Sequence, residues 1–339
     1  MQFKFIISFF ITAALIYGLV GCEKNYLPED RESLSYDMTI SNNVFNPLLG
    51  RNYLMDGNFS VGNSSQPLNF EIVNMRNFDG EAAPELDSAY AVKVWKEAYT
   101  GEETSIEEIE NKRVIEYHRP FEVLPHAGIF EMWSSSNSSF IKTLPDSCYL
   151  FDLKVSSDAG GTMYFRDLKL QPYREQDYEP NNFNQYTGNQ TVPYSYPSRA
   201  SLIFGDSTNT LLSNIQVTIH RNGDGNKLSF KFLDKNGQTI DPSNFAETDW
   251  VHLVHGFNMQ MNSDSVSYDV AYPIPLSEMK TNYTNNDGTK AAVNFYYSRK
   301  AFGGMRVTAD LGLDFAIHKE GNWTITFQFV TDNPKFSDN

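Results

Sequence analysis

The chain has 339 residues, a formal net charge of −15 and an aromatic content of 14%. Such an acidic balance excludes the classes of protein that bind nucleic acid or an anionic lipid face through a basic surface. The length is sufficient for two ordinary domains, and the aromatic content suits the packing of β-sheets.

The N-terminus carries a cationic start, an apolar run and a cysteine. Lys4 is followed by the uncharged run 5–20, and Leu-Val-Gly-Cys at 19–22 resembles a lipobox. The pattern predicts a signal peptide over 1–21 and lipid attachment at the thiol of Cys22. The run is shorter than the roughly 20 residues of a membrane-spanning helix, which disfavours the alternative of a signal-anchor helix. Several acyl chains hold a protein stably on a bilayer, so we expect the lipid bilayer to be a partner.

Cys148 is the only other cysteine in the chain. Once Cys22 is acylated, no disulfide can form within one chain, even in an oxidising compartment. Cys148 lies in the strand-like run 147–151, with no histidine nearby. The sequence therefore predicts a small, buried hydrophobic residue there rather than the alternative, a catalytic thiol.

Apolar residues alternate with polar ones along most of the mature chain, which is the period of a β-strand. The clearest alternating segments are 149–155, 162–170, 215–219, 228–232, 266–272 and 323–329. The turn residues at 158–161 and 222–225 predict tight connections between neighbouring segments, and 222–225 is interpreted as a plain hairpin turn. The chain is therefore predicted to be mostly β.

One helix is predicted at 105–112, where Ser105 and Glu108 have the spacing of a capping box. The stretch 171–199 is rich in Pro, Tyr, Asn and Gln without an apolar period, which is typical of a domain boundary. Similar strand patterns at 67–72 and 227–232 fit either an internal duplication or chance. The predicted organisation is a signal peptide (1–21), a lipidated tether (22–34), an N-terminal β-sandwich domain (35–170), a linker (171–199) and a C-terminal β-sandwich domain (200–335), with both sandwiches Ig-like.

No catalytic motif stands out among the titratable residues. His252 and His255 form the only close histidine pair, and residues three apart on a strand point to opposite faces. Glu116, Glu122 and Glu131 lie in one aromatic-rich region. Glycoside hydrolysis needs two carboxylic acids at the right separation, and two of these residues fit that need. The alternative is that these glutamates lie on solvated strand faces. Asp224 has a carboxylate of the kind that binds calcium, but a plain hairpin turn is the favoured interpretation of 222–225. We therefore predict no catalytic residue, no metal site and no cofactor.

Exposed aromatic rings are the usual platforms for sugar rings, because a pyranose presents a face of C–H groups. Trp133 precedes a loop of small polar residues and Trp250 follows Glu-Thr-Asp, so both are predicted ligand-binding residues. Trp323 belongs to the alternating segment 323–329 and is predicted to be core, and Trp95 has a similar setting. The alternative for the first two is also burial, which is common for tryptophan in sandwiches.

Three phrases of the sequence resemble a known family. The opening Cys-Glu-Lys-Asn-Tyr-Leu-Pro at 22–28 and the stretches 45–52 and 67–73 are similar to a Bacteroidota surface-lipoprotein family of unknown function. Its members accompany SusC/SusD-type outer-membrane glycan importers, in a placement like that of the SusE/SusF lipoproteins. The resemblance implies a β-rich, lipid-anchored accessory protein of the cell outer membrane that is exposed at the surface, and it supplies no catalytic residues.

Together these observations predict a non-catalytic surface protein that binds glycan or another nutrient, with an importer complex and glycan as partners. A structural, adhesive or complex-docking protein is the first alternative, and it predicts a large apolar patch or an unpaired edge strand. A surface glycoside hydrolase is the second, and it predicts two facing carboxylates, one with a raised pKa.

Overall fold

A computed structural model describes residues 33–338 of the chain. Within that range the prediction of a mostly β protein is confirmed. The predicted signal peptide, Cys22 and most of the tether lie outside the described residues. No helix between residues 33 and 338 is long and apolar enough to cross a bilayer.

Eleven strands and two short helices lie between residues 33 and 170, the first part of the chain that the structure describes. The strands are β1 (Thr39–Ile40), β2 (Val44–Phe45), β3 (Tyr53–Met55), β4 (Phe59–Ser60), β5 (Leu68–Asn77), β6 (Tyr90–Trp95), β7 (Arg113–His118), β8 (Phe121–Val123), β9 (Phe130–Met132), β10 (Tyr149–Ser157) and β11 (Thr162–Leu170). The helices are α1 (Pro84–Asp87) and α2 (Ile106–Asn111).

The remaining nine strands follow residue 170. They are β12 (Tyr178–Glu179), β13 (Arg199–Ser201), β14 (Ile215–Gly223), β15 (Lys227–Leu233), β16 (Gly256–Met261), β17 (Val266–Val270), β18 (Ala291–Lys300), β19 (Arg306–Ile317) and β20 (Asn322–Phe329). Two 3₁₀ turns lie at Pro242–Asn244 and Phe302–Gly304.

The N-terminal core lies between a four-stranded sheet, β2-β11-β10-β5, and a three-stranded sheet, β3-β9-β8. The predicted hairpin of β10 and β11 is present, and the inward residues of β10 are fully buried as the alternation requires, whereas Met163 and Phe165 of β11 are partly buried. Phe130 of the smaller sheet lies 5.6 Å from Phe151 of the larger one and 4.6 Å from Phe45, measured between ring centroids. Packing of this kind is consistent with a β-sandwich.

The C-terminal core lies between the five-stranded sheet β14-β20-β15-β17-β16 and the β18–β19 pair, to which β12 and β13 add. Phe295 of β18 contacts Phe230, Phe232 and Phe327 of the opposite sheet at centroid distances of 4.9–5.6 Å. This packing is also consistent with a β-sandwich. The Ig-like arrangement and the domain boundaries stay predictions.

The prediction of a plain hairpin turn at 222–225 is wrong. The last strand, β20, lies between β14 and β15, antiparallel to the first and parallel to the second. Ile325 of β20 therefore faces Ile219 on one side and Phe230 on the other. The connection spans two strand spacings, about 9–10 Å. Local alternation cannot reveal this insertion, because the inserted strand comes from almost 100 residues later in the chain.

The predicted helix is confirmed as α2. The Ser105 hydroxyl caps it by accepting a hydrogen bond from the Glu108 backbone N–H at 3.1 Å. The second half of the capping box is absent, since the Glu108 carboxylate accepts from the Thr104 backbone N–H instead. Ile109 is buried and packs with Ala271 and other residues of the C-terminal part. The helix therefore helps to join the two cores.

Polar contacts also join the two cores. Arg113 of β7 donates from Nη1 to the Tyr272 carbonyl at 2.7 Å. Glu179 lies in β12, within the stretch 171–199, and its carboxylate meets Arg51 at 2.7 Å and Lys290 at 3.2 Å. The stretch 171–199 is thus partly ordered against the C-terminal sheet, and it also contacts the N-terminal part.

Candidate functional site

Trp133, a predicted ligand-binding residue, lies just after β9 and is half-buried. One face of its ring stacks on His118, with centroids 3.9 Å apart and planes 23° apart. Its indole N–H donates to Glu122 Oε2 at 3.0 Å. One ring face and the only polar atom of the side chain are therefore already used within the protein.

His118 lies between two carboxylates. Its Nδ1 is 3.0 Å from Glu122 Oε2, and its Nε2 is 3.0 Å from Glu116 Oε2. Burial lowers the affinity of the ring for a proton, but the hydrogen bonds to the two glutamates outweigh it and raise the pKa of His118. Glu122 also accepts the Arg119 backbone N–H at 3.0 Å, so its carboxylate is held by three partners.

Glu131 of β9 lies directly opposite Glu122 across the β8–β9 pair. Directly opposed residues on one sheet face have Cβ atoms about 5 Å apart. Glu131 is buried, and burial raises its pKa. No hydrogen bond reaches its carboxylate from any residue between 33 and 338. All three glutamates singled out in the sequence thus lie around His118 and Trp133.

Trp250 occupies a different setting. It is half-buried and packs against the C-terminal core, 5.5 Å from Phe295 between ring centroids. Its carbonyl accepts the Tyr268 hydroxyl at 2.5 Å. The structure therefore places Trp250 at the edge of the C-terminal core. It is distant from Trp133 in sequence, and the two side chains have different neighbours. Trp323 is buried, as predicted.

The other residues considered from the sequence have ordinary surroundings. His252 pairs with Asp249 on the surface, whereas His255 lies against Tyr99 and Tyr283. Asp224 is almost fully exposed and pairs with Arg221. Among the described residues, no group of three or more His, Cys, Asp and Glu side chains is arranged to hold a metal ion.

Cys148 is buried, as predicted. Burial, with a smaller contribution from the Asp146 charge, raises the pKa of its thiol to about 11. A thiol with this pKa stays protonated at neutral pH, and the thiolate is the reactive form. Cys148 therefore has the properties of a packing residue.

A polar groove of about 400 Å³ opens on the outer face of the β18–β19 pair. This volume lies within the range of small-ligand sites, about 300–1,000 Å³. Its lining residues come from the start of β13, the loop before β18, and the outward positions of β18 and β19: Arg199, Thr284, Asn285, Asn286, Asp287, Ala292, Asn294 and Asp314. Seven of these eight side chains can form hydrogen bonds.

The groove floor follows from strand alternation. Ala292 and Asn294 point outward from β18, because Val293 between them is buried in the core. Asp314 of β19 lies directly opposite Ala292, and Gly312 lies directly opposite Asn294. The antiparallel register therefore places an amide and a carboxylate side by side on one sheet face.

Gly312 leaves room for a side chain that crosses its strand. A Cβ atom at this position would lie 2.6 Å from Asn294 Oδ1 and 2.7 Å from Arg199 Nη2. Because glycine has no Cβ, Arg199 of β13 reaches over β19, and its Nε donates to Asn294 Oδ1 at 3.1 Å. The same guanidinium donates from Nη1 to Asp314 Oδ1 at 3.4 Å.

Several polar atoms of the groove have no partner among the described residues. They are the Asn294 amide nitrogen, the whole Asn286 amide and the second carboxylate oxygen of Asp314. The Asp287 carboxylate accepts the Thr289 hydroxyl and backbone N–H, and these hydrogen bonds lower its pKa. The groove thus offers both free donors and free acceptors to a ligand.

No pattern in the sequence predicted this groove. Arg199 and Asn294 are 95 residues apart in the chain, and only the pairing of β13, β18 and β19 brings them together. A local signal was present, since Asn294 is polar within a strand and Asn285-Asn286-Asp287-Gly288 reads as a turn beside it. Without the register, neither feature indicates a common site.

These observations define a β-rich protein with an open polar groove on one sheet face and a tryptophan–histidine–glutamate cluster on another. Residues 59–338 match the model of a family described as a domain of unknown function, DUF5007. The match covers most of the chain, and the chain belongs to this family. No curated protein matches it.

Proposed function

We propose that the protein is a non-catalytic, lipid-anchored accessory of the outer membrane that binds a glycan or similar polar nutrient in the Arg199–Asn294 groove. The groove itself carries the proposal. Sugar hydroxyls both donate and accept hydrogen bonds, so a site for them needs donors and acceptors close together. Amide and carboxylate side chains with unused hydrogen-bonding atoms meet this need.

The predicted location of the protein supports the same function. The predicted signal peptide and the lipid on Cys22 would hold the mature chain on a membrane without a spanning segment. The resemblance to companions of SusC/SusD-type importers, in a SusE/SusF-like placement, suggests that the bound glycan is passed on to such an importer. A partner complex and surface exposure are parts of this proposal.

A surface glycoside hydrolase is the second candidate, because one observation favours it. Glu131 of β9 lies directly opposite Glu122 of the adjacent strand β8, and its pKa is raised, as a general acid requires. Against this role, Glu131 is only 8% exposed. A sugar ring needs access to both carboxylates, so we favour the binding function.

The docking or adhesive alternative has weaker support. Ile115 and Tyr117 are exposed neighbours on one face of β7. Two side chains on a two-stranded ribbon form a small apolar area compared with the few hundred Å² that mark an interaction site. We therefore place this alternative after the binding function.

A glycan array tests the proposal. The chain from Glu23 to Asn339 and its Asn294→Ala variant are applied to the same set of polysaccharides and oligosaccharides. Binding of the unaltered chain, lost in the variant while its circular dichroism is unchanged, is the expected result. Absence of binding to every glycan would reject the proposal, and release of reducing ends by the unaltered chain but not by Glu131→Gln would support the hydrolase instead.

A further inference from the structure

We infer that the Arg199–Asn294 groove selects uncharged glycans and rejects acidic ones, such as those with uronic acid or sulfate groups. This inference rests on the proposed function and names the ligand class of the same site. It follows from the charges that line the groove and from the contacts that already occupy its one cation.

The groove has more negative than positive charge. Its lining includes one cation, Arg199, and two carboxylates, Asp287 and Asp314, which leaves a net charge of −1. A third carboxylate, Asp310, lies directly across β13–β19 from Ser201, with its Oδ2 3.9 Å from Arg199 Nε. An anionic ligand would enter a site where carboxylates outnumber the guanidinium.

Three of the five N–H groups of Arg199 already have partners within the protein. Its Nε donates to Asn294 Oδ1, its Nη1 to Asp314 Oδ1, and its Nη2 also contacts Asn294. A sulfate or carboxylate that bound this guanidinium would have to displace Asp314 or lie beside it, where like charges repel. An uncharged hydroxyl meets no such repulsion, and it can bond to the free Asn286 amide group and to the free amide nitrogen of Asn294.

The surroundings reinforce the local charge. The whole chain has a net charge of −15, so the long-range field also disfavours the approach of a polyanion. At an ion separation of about 6 Å, one uncompensated charge changes affinity roughly threefold at the dielectric constant of water and about a hundredfold at the effective dielectric constant near a protein surface, so roughly tenfold is the intermediate value expected for an open groove. This effect weakens as salt screens it, since the Debye length falls from about 10 Å at 0.1 M to about 3 Å at 1 M.

Asp314→Asn is the decisive variant. It removes one negative charge from the groove and replaces the charged acceptor of Arg199 Nη1 by a neutral amide oxygen, without changing the size of the side chain. Asp158→Asn is the matched control, because it changes the net charge of the chain equally but lies exposed in the turn between β10 and β11. Both variants and the unaltered chain are tested by affinity electrophoresis in neutral polysaccharides and in uronic-acid-containing or sulfated ones, at 0.05 M and 0.5 M salt.

We expect the unaltered chain to bind at least one neutral polysaccharide at least tenfold more tightly than any acidic one at low salt. Asp314→Asn should narrow that difference by roughly tenfold, whereas Asp158→Asn should leave it unchanged. Equal or tighter binding of acidic polysaccharides by the unaltered chain would overturn the inference while leaving glycan binding intact. Binding to no polysaccharide of either kind would overturn the proposed function and the inference with it.

Discussion

Gly312 offers a way to damage the groove without damaging the fold, and Gly312→Ala is the substitution that does so. The added methyl would lie 2.6 Å from Asn294 Oδ1 and 2.7–2.9 Å from two nitrogens of Arg199. Real Cβ atoms do not approach so closely, so these two side chains must move. The clashing atoms are at the ends of the Asn294 and Arg199 side chains on the sheet surface, so these side chains can move while the backbone of β19 stays in place.

The two effects on stability nearly cancel. Losing the surface contacts of Arg199 costs up to about 1 kcal/mol, because exposed ion pairs contribute little. Replacing glycine by alanine in a strand returns about 0.5–1 kcal/mol through the entropy of the unfolded chain. The free energy of unfolding should therefore change by less than about 1 kcal/mol. Glycan affinity should fall about tenfold or more, since one to two positioned hydrogen bonds are lost.

The assay pairs urea unfolding with affinity electrophoresis in a polysaccharide that binds the unaltered chain. Ser229→Ala is the control, because Ser229 is a small outward residue of β15 on the other sheet of the same core. The control should match the unaltered chain in both measurements. A Gly312→Ala variant that binds as well as the unaltered chain would refute the argument, and so would one that loses several kcal/mol of stability.

Three further predictions concern stability. Glu179→Gln should lower the free energy of unfolding by about 1–3 kcal/mol at pH 7, because the carboxylate has two cationic neighbours, Arg51 and Lys290. The neighbouring His318, Arg51 and Lys290 lower the pKa of Glu179 against the cost of burial. This stabilisation is therefore present above the unfolded pKa and is lost progressively as pH falls below about 4.5. The difference in unfolding free energy between the two chains should be smaller at pH 3 than at pH 7 in urea, and a constant difference would contradict the prediction. His118→Gln should show the opposite pH dependence. Because the pKa of His118 is raised, its contribution to stability is complete below about pH 6.5 and is lost as pH rises further. The substitution should therefore lower the free energy of unfolding more at pH 5.5 than at pH 8.5. Phe295→Ala should cost about 3–5 kcal/mol in thermal or urea unfolding, since its ring packs against the opposite sheet, and a cost below 1 kcal/mol would place it outside the core.

Much of the fold was predictable because burial on one face leaves a local trace. The alternation of Trp323, Ile325, Phe327 and Phe329 predicts a half-buried strand, and all four are buried. The helix at 105–112 was predictable for a similar reason, since its cap is made by neighbours in sequence. What local patterns do not encode is which strand lies beside which, and the insertion of β20 between β14 and β15 is the clearest example.

The candidate site was less predictable than the fold. Composition placed Glu116, Glu122, Glu131 and Trp133 in one region, and the structure brings them together. The sequence could not show that His118 stacks on the indole and occupies one of its faces. The polar groove depends on the strand register that brings together Arg199 and Asn294, which are 95 residues apart, and on the missing Cβ of Gly312. No local motif therefore indicates it.

The central claim is that the groove, and not either tryptophan, binds the ligand. Affinity electrophoresis of Asn294→Ala, Trp133→Ala and Trp250→Ala against one glycan that binds the unaltered chain tests it most directly, with circular dichroism confirming that each variant is folded. We predict that Asn294→Ala loses its retardation while a folded Trp133→Ala or Trp250→Ala keeps it. Retention of binding by Asn294→Ala, with loss in a folded tryptophan variant, would contradict the claim and place the ligand at the residue that the sequence first suggested.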